Sequence, residues 1–194
     1  MAQPKVFTPV ELIGNLIQDN VDDLISDRKR WVYPTFSIDD SRLPQCTVKL
    51  VGNVYEHDSA ASYLTEDYDS ETGIFKEYYY KKAIAKVNLY ILTQKRQEFT
   101  VVNDDDTEMF LTNQPLNIFL TNKVKETLWR QYEGGAFQDN LESISILNID
   151  PVFRDEETTW ASEIQCEVKY KDVWVKEYKD GTLVSEYSLT INTY

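Results

Sequence analysis

The sequence contains very few of the residues that carry catalysis and metal binding. It has one histidine, His57, and two cysteines, Cys46 and Cys166, among 194 residues. A structural zinc site takes four ligands, mostly Cys and His, so a site here would need added carboxylates. His57 and Asp58 have the chemistry of a general base and its orienting carboxylate, but no nucleophile motif lies near them. The sequence therefore predicts no catalytic residue, no metal or cofactor site and no enzymatic activity.

Long apolar runs and positive charge are also scarce. No run approaches the roughly 20 apolar residues of a membrane span, and the first residues, "MAQPKVFTPVE", lack the apolar segment of a signal peptide. Lys and Arg total 20 against 33 Asp and Glu, which gives a net charge of −13. So acidic a chain should not adhere generically to DNA or to an anionic membrane. We therefore expect a protein made inside the cell, with no membrane partner.

A folded core is nevertheless expected, because 42% of the residues are hydrophobic and 13% are aromatic. Thr8 and Glu11 form a capping box around Pro9, and the apolar stripe that follows predicts a helix over 9–26. A second amphipathic helix is predicted to begin after Gln114-Pro115. Its apolar stripe consists of Leu116, Phe119, Leu120, Val124 and Leu128.

Alternating segments predict strands on both sides of the second helix. Because strands and helices segregate along the chain, we predict an α+β fold: a mostly antiparallel sheet, two amphipathic helices packed on one face, and extended hairpins. Residues 1–178 would form a single domain, and 179–194 a C-terminal strand or hairpin arm that begins with the turn Lys179-Asp180-Gly181. The predicted strands cover residues 45–56, 76–102, 109–111, 143–153, 162–178 and 182–192.

The predicted strand over 76–102 is much longer than an ordinary strand of about five or six residues. A domain of this size cannot bury it along its whole length, so part of it must leave the core or pair with another chain. Tyrosine suits half-wet contacts, and in "YKDVWVKEY" both faces of the predicted strand carry apolar or aromatic groups. The resulting interface candidates are Tyr78, Tyr79, Tyr80, Lys86, Tyr90, Trp174 and Tyr178.

Acidic side chains concentrate in two further segments. Residues 57–73 are predicted to form a long polar loop, and 103–108 an exposed hairpin tip. The first segment begins like a calcium loop at Asp67, but its glycine is displaced to Gly73 and position twelve is Tyr78 instead of Glu. An adventitious cation site remains as an alternative. The candidates for facing a channel or a partner are Asp67, Asp69, Glu71, Asp104, Asp105, Asp106 and Glu108.

The order of these elements resembles that of the tail-terminator or tail-completion proteins at the neck of tailed viruses. The resemblance covers roughly residues 8–178: an amphipathic helix, then "RWVYPTFSIDDSRLPQCTVKLVGN" leading into the first strand, and a long acidic loop. The long strand "KKAIAKVNLYIL", the second helix after an acidic tip, and the closing strands "ISILNIDPV" and "EIQCEVKY" complete it. It rests on element order and size, because this family has no invariant catalytic motif.

The resemblance implies a homo-oligomeric ring, in that family usually of six subunits, that closes the tail tube and joins it to the head connector. Its partners would be other copies of itself, the tail tube protein and the connector or stopper protein, and the protein would be found in the virion after assembly in the host cytoplasm. Genomic DNA would pass through an acidic lumen without specific binding. The alternatives are another neck or baseplate subunit, such as a head-closure protein, and a non-catalytic ligand- or cation-binding module.

Overall fold

Two strands of 21 residues each run through the centre of the structure. In the computed structural model, which describes residues 8–21, 31–34, 44–55, 61–94, 98–102, 108–130, 141–152 and 159–189, they pair antiparallel from end to end. The helices are α1 (Pro9–Val21) and α2 (Asn113–Arg130). The strands are β1 (Val32–Tyr33), β2 (Gln45–Tyr55), β3 (Ser62–Asp69), β4 (Ile74–Gln94), β5 (Glu98–Val102), β6 (Glu108–Thr112), β7 (Leu141–Val152), β8 (Thr159–Lys179) and β9 (Thr182–Ser188).

The main sheet has seven strands in the order β1-β2-β4-β8-β7, with β3 paired to β4 and β9 paired to β8. Its pairs are antiparallel apart from β1 with β2. A second sheet consists of β5 and β6. The predicted α+β class, with a mostly antiparallel sheet and two helices, is therefore confirmed.

Both helices pack on the same face of the main sheet. The capping box begins α1, since the Thr8 backbone N–H donates to a Glu11 carboxylate oxygen at 2.8 Å. Apolar residues at helical spacing, such as Ile13 and Leu120, then reach the sheet. Cys46 and Cys166 are buried free thiols in the same core. The strand residues of this core include Val48, Ala83, Ala85, Val87, Leu89, Ile91, Ile164, Val168 and Tyr170.

The long strands exist because each one serves two parts of the sheet. The second half of β4 pairs with β2, while its first seven residues, 74–80, pair with β3. The first half of β8 pairs with β7, while 174–179 pair with β9. At about 3.3 Å per residue, strands of this length reach roughly 70 Å. The four-stranded part made of β3, residues 74–80, residues 173–179 and β9 is called the extension below.

Two predicted elements were wrong. The strand predicted over 76–102 is two strands in different sheets, because β4 ends at Gln94 and β5 pairs with β6. The segment predicted as a polar loop over 57–73 contains β3. An edge strand with polar residues on both faces lacks the alternation by which strands are recognised, and continuous alternation does not reveal a change of pairing partner.

A β-bulge in β2 changes which residues of this strand face the core. Strict alternation from Cys46 and Val48 would put Val54 on their face, but the register shifts between Leu50 and Gly52. One extra residue exchanges the two faces of the strand beyond it. Val54 is consequently 62% exposed, and Asn53 points its side chain toward Tyr170 instead.

The predicted turn at 179–181 is present between β8 and β9. Asp180 and Gly181 both have positive φ, 50° and 77°, as a two-residue hairpin turn of this type requires. β9 is therefore a strand of the main sheet, paired with the end of β8. The division into a domain of 1–178 and an arm of 179–194 stays a prediction.

Candidate interaction surface

The structure distributes the interface candidates over three places. Tyr79, Trp174 and Tyr178 lie together on one face of the extension, because Tyr79 pairs with Trp174 and Phe75 with Tyr178. By strand alternation this is the side of the sheet that carries the helices further along. We call it the aromatic face; its rings are Tyr63, Tyr68, Phe75, Tyr79, Trp174 and Tyr178.

The aromatic face is open to solvent at its edge and half-buried at its centre. Tyr63 is 52% exposed and Tyr68 62% exposed on the edge strand β3. Tyr63 packs edge-on against Tyr79 with ring centroids 5.8 Å apart, and Phe75 packs against Tyr178 at 6.4 Å. Edge-to-face and tilted ring pairs of this kind are favourable aromatic contacts.

Lysines border this face. The Lys176 ammonium lies 5.3 Å from the centroid of Tyr79, and the Lys81 ammonium 5.9 Å from that of Trp174. Both distances suit cation–π attraction. The face thus combines apolar area with fixed charges, the composition of a half-wet contact surface.

Tyr78 and Tyr80 lie on the opposite face of the extension, which has a small core of its own. Tyr78 is 3% exposed and packs with Val173 and Val175, and Tyr80 is a partly buried neighbour of that cluster. Leu64 and Leu189 pack against the same cluster. Tyr78 therefore stabilises the extension internally and adds nothing to its surface.

Lys86 and Tyr90 lie elsewhere, on the helix-free face of the main sheet. Lys86 is exposed and pairs in register with Glu167, and Tyr90 accepts a hydrogen bond from the Asn88 amide at 3.3 Å. Lys82 on the same face is 3.3 Å from the Glu142 carboxylate. This polar face is separate from the aromatic face.

The acidic candidates of the first segment lie on β3 and the turn after it. The Asp69 carboxylate accepts from the Thr72 hydroxyl at 2.7 Å and from the Glu71 backbone N–H at 2.9 Å. These bonds, the Thr72 bond first, lower the pKa of Asp69, and they make Asp69 a turn residue. Asp67 accepts from the Tyr68 backbone N–H at 3.0 Å.

Most of the second acidic segment, Asp104, Asp105 and Asp106, lies outside the described residues. Glu108 is the first residue of β6 and pairs with Val102. His57 and Asp58 also lie outside the described residues. Within the part of the chain that the structure describes, no three His, Cys, Asp or Glu side chains are grouped so as to hold a metal ion.

The sequence reasoning missed a buried carboxylate where the extension meets the helix-covered core. Asp172 is 0% exposed. It accepts hydrogen bonds from the Tyr55 hydroxyl at 2.7 Å, the Ser188 hydroxyl at 2.9 Å and the Trp174 indole N–H at 3.2 Å. The donors come from β2, β8 and β9, so one side chain ties these strands together. We call this group the Asp172 network.

The pKa values of two neighbouring tyrosines are raised by this environment. Burial, and next the hydrogen bond to Asp172, raise the pKa of Tyr55. Burial first and the charge of Asp172 second raise the pKa of Tyr170 to about 12. The signal in the sequence was the position of Asp172, which by strand alternation shares a face with Val168, Tyr170 and Trp174. A charged residue on a largely apolar strand face needs hydrogen-bond partners.

Comparisons with known proteins add no family to these observations. No protein-family model matches the chain, and no curated protein matches it significantly in sequence. Among the described residues, neither helix has the length and apolar character of a membrane span. The class that the fold defines is an α+β protein with a projecting four-stranded extension.

Proposed function

We propose that this protein is a non-catalytic structural virion protein that forms a homo-oligomeric ring, hexameric as in the family it resembles. The ring terminates the tail tube and joins the tail to the head connector. Its partners are further copies of itself, the tail tube protein and the connector or stopper protein. It acts in the neck of the virion after assembly in the host cytoplasm.

The observation that carries this proposal is the extension with its aromatic face. A ring requires each subunit to offer one surface to a different surface of the next. The extension projects past the helix-covered core on two fully paired strands, so it is a stiff element able to reach a neighbour. Its internal cluster of Tyr78, Val173 and Val175 lies on one face, which leaves the aromatic face available for the contact.

The charge of the chain also supports the proposal. A net charge of −13 keeps copies from aggregating without order and gives a DNA channel walls that repel phosphate. Exposed carboxylates such as Glu71, at the tip of the extension, suit a position beside the channel or a partner ring.

Native mass spectrometry, with and without tail tubes, tests the proposal. Tyr63→Ser and Tyr68→Ser should abolish the ring and leave the thermal transition in place, because both side chains are largely exposed. Trp129→Ala is the matched control, since Trp129 is a 59% exposed aromatic residue on α2. A wild-type protein that stays monomeric at high concentration, in low and high salt and with tail tubes present, would refute the ring.

A further inference from the structure

The tip of the extension contains an open pocket at the outer end of the aromatic face. It lies between the turn at Gly73 and the turn at Asp180-Gly181 and has a volume of about 410 Å³. Three aromatic residues, Tyr68, Phe75 and Tyr178, line it together with two acidic residues, Glu77 and Asp180, and both glycines.

The walls of this pocket share one electrostatic property. The face of an aromatic ring carries partial negative charge, and the two carboxylates add full charges. Glu77 also accepts a hydrogen bond from the Tyr79 hydroxyl at 2.9 Å, which holds that carboxylate in place beside the rings. A site made of aromatic faces and carboxylates attracts cations and repels anions.

The three pocket rings differ from the other rings of the extension in their contacts with lysine. Lysines lie over Tyr79, Trp174 and Tyr80 at 5.3, 5.9 and 5.1 Å. Among the described residues, no lysine or arginine occupies the corresponding position over the three pocket rings.

One lysine of the paired strands, Lys176, lies on the pocket's face opposite Glu77 in register, with its ammonium over the Tyr79 ring. Lys76 and Lys179 belong by register to the other face of the sheet, and the Lys76 ammonium is 3.0 Å from Glu177. Within the part of the chain that the structure describes, the three pocket rings therefore have no cation stacked on them, and a bound cation could take that position.

We propose that this pocket binds a large, weakly hydrated cation, either a guanidinium group or a quaternary ammonium group. A lysine ammonium is a compact, strongly hydrated charge that loses more on leaving water. The planar guanidinium stacks on rings, and a quaternary ammonium fills an aromatic cage. The source is either an arginine side chain of a partner or a small ligand such as choline. The pocket shares its rings with the aromatic face, but cation binding by the free chain does not require the proposed ring.

Titrations of the full-length protein followed by amide NMR, with Gly73 and Gly181 as reporters, test the proposal. The probes are choline, N-acetyl-arginine amide, N-acetyl-lysine amide and 3,3-dimethylbutanol, the neutral isostere of choline. We expect Kd values of about 1–10 mM for choline, for the arginine probe or for both, as a few cation–π contacts provide. The lysine probe and the neutral alcohol should bind at least about fivefold more weakly, since each lacks part of the required chemistry.

Variants assign the binding to the pocket. Tyr68→Leu and Glu77→Gln should each weaken binding about fivefold or more. Tyr68 is largely exposed, so its replacement leaves the fold intact. Tyr187→Leu is the matched control, because Tyr187 pairs with Val175 on the opposite face, and it should change Kd by less than about twofold.

Each outcome decides the question. Binding of the arginine probe alone assigns the pocket to a partner arginine, and binding of choline alone assigns it to a small quaternary ammonium. Equal binding of the neutral alcohol, equal binding of the lysine probe, or no saturable shift with any probe would overturn the proposal. So would retention of wild-type affinity by both Tyr68→Leu and Glu77→Gln.

Discussion

Replacing Asp172 with alanine would remove the acceptor of three hydrogen bonds at the junction of the extension and the core. The donors are the Tyr55 hydroxyl, the Ser188 hydroxyl and the Trp174 indole N–H. Because Asp172 is fully buried, water cannot replace the lost carboxylate without opening the sheet. The variant therefore leaves three partly buried donors without their acceptor.

The expected magnitude follows from two opposing terms. Hydrogen bonds to a charged group contribute about 1.5–3 kcal/mol each, so three of them amount to roughly 4.5–9 kcal/mol. Removing the carboxylate also removes its desolvation cost, which is several kcal/mol for a buried ion. The net loss in the free energy of unfolding should be about 2–4 kcal/mol. For a chain of this length that lowers Tm by roughly 4–16 °C.

Urea unfolding followed by tryptophan fluorescence and by far-UV circular dichroism measures this loss. Asp172→Asn should cost less than alanine, since the amide oxygen still accepts one or two of the bonds. Asp150→Ala is the control, because Asp150 is an exposed carboxylate of β7 and should stay within about 0.5 kcal/mol of wild type. An Asp172→Ala protein as stable as the control would refute the reasoning.

Three further predictions concern pH and the turn. Burial raises the pKa of Tyr170 to about 12. Its contribution to the free energy of unfolding is therefore complete below its unfolded pKa of about 10 and is lost as pH rises toward 12. Tyr170→Phe should reduce the fall in the free energy of unfolding over that pH range, measured by urea titration. Hydrogen bonds from Ser185 and Lys76 lower the pKa of Glu177, so stability present above its unfolded pKa is lost as pH falls, and Glu177→Gln should lessen the acid dependence of Tm. Gly181→Ala should lower the free energy of unfolding by about 1 kcal/mol in the same urea assay, because Gly181 has φ +77°.

The elements that sequence reasoning predicted well are those fixed by neighbouring residues. The capping box at Thr8 and Glu11 begins α1, and the Asp180-Gly181 turn joins β8 to β9. Alternation along "YKDVWVKEY" puts Val173 and Val175 on one face and Trp174 on the other, as the structure has them. In each case the physical cause is contained in a few consecutive residues.

The elements that it missed depend on distant partners. The bulge after Leu50 is visible only in the pairing with β4, and β3 is a strand because the first residues of β4 offer it a free edge. The predicted strand beyond Gln94 failed for the same reason, since β5 takes β6 as its partner. The alternating pattern of a strand's sequence is the same whichever strand pairs with it.

The candidate site was likewise predicted in part. The sequence identified the aromatic residues, but only the register between β4 and β8 separates Tyr79 and Trp174 from the buried Tyr78. The edge rings Tyr63 and Tyr68 were inside the segment taken for a loop. The Asp172 network needed donors from three strands, which no short stretch of sequence contains.

In the extension, the residues that stabilise the fold are largely different from those that form the exposed aromatic face. The cluster around Val175 and the Asp172 network hold its strands together from one face and from its base. We therefore expect the exposed rings of Tyr63 and Tyr68 to contribute little to folding. Apolar area left in water has a free-energy cost, and an isolated monomer gains nothing from that exposure. Trp174 contributes to both, because its indole N–H bonds Asp172 while its ring lies on the aromatic face. Substitutions at Tyr63 and Tyr68 thus separate association from folding, whereas a Trp174 variant changes both at once.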